Sequence, residues 1–128
     1  MKLMDKKFLR DNLLSHPYES SPGYFAKINF LYFSDDGKVM SAYWEAPIGS
    51  FKLSYSEFDE INYVIEGELD ITVGGETINV REGGCFFLKK GEKPTYNIIK
   101  DTKTFLLIYP AGEEVMKDIR QMIKDSKK

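Results

Sequence analysis

The run from Ser56 to Gly75, SEFDEINYVIEGELDITVGG, decides how the rest of the chain is read. INYVIEG carries β-branched and aromatic residues and ends at Gly67, so it reads as a strand. ELDITV follows and pairs with ETINV across Gly74-Gly75, two adjacent glycines between alternating runs, which is a hairpin signal. Strand side chains alternate between faces, so if Glu60 points inward, Asn62 and Val64 do too. A carboxyl and an amide would then sit on an otherwise apolar inner face.

Upstream, AKINFLYFS and GKVMSAYWEA are joined by Asp35-Asp36-Gly37, a second hairpin signal, and FKLSY alternates from Phe51 to Tyr55. Downstream come CFFLKKG, PTYNII and KTFLLIYP. Eight to ten short strands with Gly and Pro turns imply a β-sandwich or barrel. The start, Lys2 to Ser15, has apolar residues at roughly helical spacing and predicts a short helix. HPYESSPGYF follows, and its Pro17, Pro22 and Gly23 predict an extended arm draped over the barrel. At the other end Val115, Met116, Ile119, Met122 and Ile123 form one stripe of an amphipathic helix, with acidic residues opening it and lysines closing it. The organisation expected is an arm over 1–24, a β-barrel over 25–112 and a C-terminal helix over 113–128.

The totals suit one soluble domain of 128 residues. A net charge of −2 offers no long-range attraction to nucleic acid or an anionic membrane, so neither is an expected partner. No apolar h-region opens the chain and no apolar run nears membrane-spanning length, which points to a cytoplasmic protein. The one cysteine, Cys85, excludes an intrachain disulfide and, in an apolar run, reads as a buried thiol.

Two spacings carry a resemblance. Glu60 is followed by six residues and then Gly67; Gly83 is followed by five residues, then Lys89-Lys90-Gly91, two more, and Pro94. Both resemble the paired motifs of the cupin family, G-x5-H-x-H-x3–4-E-x6-G and G-x5-P-x-G-x2-H. Here Lys89 stands where proline is usual and Pro94 where histidine is usual. Trp44-Glu45, DEI at Asp59–Ile61, EGEL at Glu66–Leu69, FFLKKG at Phe86–Gly91 and TKTFLLIYPA at Thr102–Ala111 resemble the histidine-less EutQ-like branch in particular. The likeness covers roughly residues 25–112. It implies a small, jelly-roll-like cupin barrel, all-β apart from its two terminal helices, a link to ethanolamine or amine metabolism, and a homodimer, for which INFLYF, apolar on both faces, suits a buried interface.

The family's usual metal ligands do not carry over. Counting from either end of the first motif places Leu53, Ser54, Tyr55, Ser56 or Glu57 at the histidine positions, and the chain's one histidine, His16, lies far upstream beside a proline, where a turn residue is expected. A transition-metal centre of this kind draws on imidazoles. Asp59 and Glu60, adjacent on a strand, would face opposite ways. The expectation is no metal and no cofactor. A buried Glu60 still needs donors, and Tyr55, Tyr63, Tyr96, Trp44 and Lys89 are the candidates. The expected ligand-binding set is Trp44, Tyr55, Glu60, Asn62, Lys89 and Tyr96, with Glu60 as the one candidate acid or base. Lys89 and Lys90 read either as solvated edge charges or, at a barrel mouth, as holders of a carboxylate or phosphate. The family's link to acetate kinase activity would need a phosphate site, yet no G-x4-G-K-[ST] cradle is present, and VGGET reads as a hairpin turn. Three functions stay open: a metal-free binder of a small polar molecule, an enzyme using Glu60, and a structural homodimer with a filled barrel.

Overall fold

The structure, a computed structural model, describes residues 1–18, 20–53 and 56–126. Among the described residues there are eight strands: β1 Leu14–Pro17, β2 Phe25–Phe33, β3 Met40–Ala46, β4 Gly49–Lys52, β5 Glu60–Val73, β6 Glu76–Arg81, β7 Cys85–Leu88 and β8 Thr95–Ile108. Helix α1 spans Lys6–Asp11 and α2 spans Glu113–Ser126. All pairings are antiparallel, in the order β1-β2-β3-β8-β5-β6, with β4 on β8 and β7 on β5. Two 14-residue strands, β5 and β8, hold the architecture together. The first half of β5 lies between β7 and the second half of β8, and the second half of β8 also pairs β3. The second half of β5 pairs β6, and the first half of β8 pairs β4. Each long strand thus serves both ends of a rolled sheet, where the sequence led one to expect four separate short strands.

Gly67 makes that continuity possible. The β5–β8 register shifts on either side of it, and its φ is +106°. A Cβ there would lie 2.6 Å from the Asp101 carbonyl and from Thr102. Gly67 is a bulge inside a strand, not a strand end. Gly74 and Gly75, both at positive φ, close the β5–β6 hairpin as expected.

The N-terminal arm differs from its expected form. Asp5 caps α1 by accepting the Phe8 N–H, but the helix stops at Asn12, a poor helix former. The chain then enters β1, which pairs with β2 through Leu14↔Ile28 and His16↔Ala26. Leu14 and His16 are half-buried while Ser15 and Pro17 are exposed, so the segment is an edge strand, where proline is tolerated. Helix α2 lays Met116 and Ile119 against the core; the Val115 side chain lies outside the described residues. Cys85 is exposed, contrary to expectation, because alternation along β7 places Phe86 and Leu88 inside. No helix among the described residues is long and apolar enough to cross a membrane.

Candidate functional site

Burial along β5 alternates as expected, and Glu60, Asn62 and Val64 all face inward. From β3, the Trp44 indole N–H donates to Asn62 Oδ1 at 3.0 Å. The Asn62 amide in turn donates to Glu60 Oε1 at 3.4 Å, a long contact. Tyr96, fully inside on β8, packs edge-on against Trp44 and stacks on Phe51 from β4. Strand pairing sets this cluster, since Trp44 and Val64 both face Thr104 while Asn62 faces Leu106.

Glu60 is 9% exposed, and among the described residues no lysine or arginine pairs with it. Burial pushes its carboxyl up to about 7, against the smaller downward pulls of Asn62 and Tyr96. Burial and the neighbouring Glu60 charge raise the Tyr96 phenol well above its usual range, so it stays neutral.

These groups line a cavity of about 390 Å³. Ile28, Phe30, Met40, Leu106 and Ile108 supply apolar wall, and Ile119 and Met122 reach it from α2. Lys52, Glu57 and Asp118, all exposed, also border it. Tyr96 lines the cavity, whereas Phe86, whose ring packs edge-on against Tyr96 at 6.2 Å, and Leu88 are buried outside its lining.

Of the expected ligand-binding set, Trp44, Glu60, Asn62 and Tyr96 come together in the cavity wall. Tyr55 lies outside the described residues. Lys89 is exposed where the chain leaves β7, its N–H donating to Glu92. Tyr63, named as a donor, is 45% exposed on the outer face. His16 was the residue missed: it lines the cavity from β1, and its Nδ1 is buried without a hydrogen-bond partner among the described residues. Burial lowers its pKa, so the ring is neutral near pH 7.

The donor set does not fit the metal centre that cupin barrels often carry. The neighbours of Glu60 are an amide, an indole and a phenol, and Asp59 Oδ1 is engaged by the Lys90 N–H. Among the described residues no three His, Cys, Asp or Glu side chains cluster as metal ligands would.

Comparison with known proteins agrees with this fold. The EutQ-like cupin domain family matches residues 33–104. The acetate kinase EutQ of Escherichia coli (strain K12) is 32% identical over 81 residues, covering 61% of this chain and 34% of that protein. The match thus spans about a third of the length of the curated relatives. The structure of the Clostridium difficile EutQ protein superposes with a TM-score of 0.63 at 25% identity, covering 70% of this chain and 71% of that one. A putative ethanolamine utilization protein Q from Salmonella typhimurium LT2 shares the fold with a TM-score of 0.67 at 21% identity, covering 77% and 80%. The cupin barrel with its two terminal helices is therefore the fold of this protein, and the chain belongs to the EutQ-like cupin domain family.

Proposed function

We propose that this chain binds a small polar molecule inside its barrel without a metal, and that Glu60 is the group that recognises it. One observation carries the reading: an open cavity of about 390 Å³ has in its wall a buried carboxyl with no cationic partner among the described residues. A buried carboxyl of this kind is stabilised by a ligand that donates to it, best of all a cation. The rim favours the same sign, with two carboxylates, Glu57 and Asp118, beside one ammonium, Lys52. The name of the Salmonella relative, an ethanolamine utilization protein, supports a place in amine metabolism. The Escherichia coli relative is named an acetate kinase, but an acid-rimmed, apolar cavity does not favour a phosphate.

A second reading is acid–base chemistry at Glu60, favoured by a carboxyl that titrates near 7. Small amines, alcohols and amides screened by protein-observed NMR, with turnover assayed alongside, separate the two. Binders are expected to perturb the single Trp44 indole signal and to be lost in Glu60→Gln. Binding indifferent to that substitution overturns the reading, and turnover lost from a variant that still binds favours the enzyme.

We also assign a second copy of this chain as the partner, through the outer face of β7, β5 and β8. The INFLYF strand, expected to supply the interface, keeps Tyr32 half exposed but turns other side chains inward or onto α1. Ile28 and Phe30 line the cavity, and the Asn29 amide donates to the Phe8 and Leu9 carbonyls of α1.

A further inference from the structure

Glu60 stands in the end row of the barrel sheet, where β3 and β5 begin and β7 and β8 end. Ile108 on β8 and Leu88 on β7 flank it, and Met40 lies beyond Ile108 in the same row. One row deeper, Asn62 lies between Leu106 and Phe86. Directly opposed strand residues have their Cβ atoms about 4.5–5.5 Å apart, so the carboxyl is set between aliphatic side chains. Met40, Leu106 and Ile108 carry that apolar surface into the cavity.

Among the described residues, the acceptors next to Glu60 in the chain and in the sheet are already engaged. Asn62 Oδ1 takes the Trp44 indole N–H at 3.0 Å. The Phe58 carbonyl takes the Ser56 hydroxyl at 2.8 Å, and the Asp59 carbonyl takes the Tyr109 N–H at 3.2 Å. Asn62 and Tyr96 act on the carboxyl itself as donors. An incoming cation therefore finds the remaining capacity of one carboxylate and little else.

We propose that the cavity takes a methylated ammonium ion, one that brings its charge to Glu60 with at most one N–H, in preference to a primary amine. This rests on the reading of Glu60 as the group that recognises the ligand. A primary ammonium points three N–H groups in three directions, and one carboxylate can face two of them at most. The third would meet aliphatic wall, and a buried donor without an acceptor is costly. A water carried in to satisfy it would need polar partners of its own, which that wall does not offer. Methyl groups in place of the N–H groups suit the same wall and leave the charge intact.

The test uses four isomeric five-carbon cations: pentylammonium, neopentylammonium, N,N-dimethylpropylammonium and ethyltrimethylammonium. Charge and atom count are equal across them, and neopentylammonium is a compact primary ion that controls for shape. Each is titrated at about pH 8, above the Glu60 midpoint of about 7 and below that of the amines, following the indole resonance of the one tryptophan. The tertiary and quaternary ions are each expected to bind roughly tenfold tighter than both primary ones. Glu60→Gln is expected to weaken ethyltrimethylammonium by about tenfold or more. A primary isomer that matches or exceeds either methylated ion in the unmodified protein overturns this inference while the pocket stands. Binding of none of the four, or ethyltrimethylammonium binding that Glu60→Gln leaves unchanged, overturns the reading of Glu60 itself and this inference with it.

Discussion

At Glu60 the chain keeps a carboxyl that prefers its proton, and stability should report it. Its folded pKa of about 7 lies above the ordinary value of 4.5. Between those values the folded state holds a proton that the unfolded state has released, so stability falls as pH rises through the window and levels off above about 7. The full effect is about 3 kcal/mol. His16 acts in the opposite sense: its lowered pKa costs stability as pH falls through the ordinary histidine range. Glu60→Gln separates the two, because His16 is common to both proteins. In urea titrations the variant is expected to gain on the parent by up to about 3 kcal/mol between pH 5 and pH 8. A difference that does not change with pH would show that Glu60 is ionised throughout. Alternation along one strand tied Asn62 and Val64 to whichever face Glu60 takes, and the structure puts all three inside. The same parity turns Lys89 outward once Phe86 and Leu88 are placed inside, which agrees with the solvated-edge reading of the two open for Lys89. His16 was harder, because Pro17 reads as a breaker and an edge strand tolerates it.

Gly67 shows why strand existence was easier to read than strand extent. The sequence marks a glycine after INYVIEG, and a glycine ends a strand more obviously than it bulges one. Whether β5 continues depends on Asp101 and Thr102, which are remote in sequence and become neighbours only when β8 lies alongside. Short-range pattern cannot report such a contact, and the same limit hid the union of PTYNII with KTFLLIYP. Gly67→Ala is expected to cost about 3 kcal/mol or more, since the added methyl meets backbone at 2.6 Å and φ is +106°. Gly74→Ala meets nothing within 4 Å and has φ +58°, so it should cost only about 1–2 kcal/mol. Denaturant midpoints of the two variants check this, and equal losses would mean that the bulge relaxes around a side chain.

For the whole molecule, the outer face of the rolled sheet is covered unevenly. Over β2 and β3 it is closed by α1, through the Asn29 amide and the Arg10–Glu45 ion pair. Over β7, β5 and β8 it is bare among the described residues. Two cross-strand rows lie there in register, Phe87–Ile61–Leu107 and Cys85–Tyr63–Phe105. Ile61, Tyr63, Phe87, Phe105 and Leu107 are each 38–53% exposed, and neither row holds a charge. An uncharged sheet face meets its own copy without electrostatic conflict, and a two-fold interface needs the same patch on both sides. The protein is therefore expected to run in light scattering at about twice its 14.8 kDa chain mass. Ile61→Glu puts a charge at the centre of the patch, on a side chain already facing solvent, and should give a folded monomer with an unchanged circular dichroism spectrum. Tyr32→Glu, at an equally exposed site on the strand first expected to form the interface, should leave the dimer intact. If Tyr32→Glu yields the monomer and Ile61→Glu does not, the interface lies on β2; if the unmodified chain is monomeric at tens of micromolar, the bare face has another occupant.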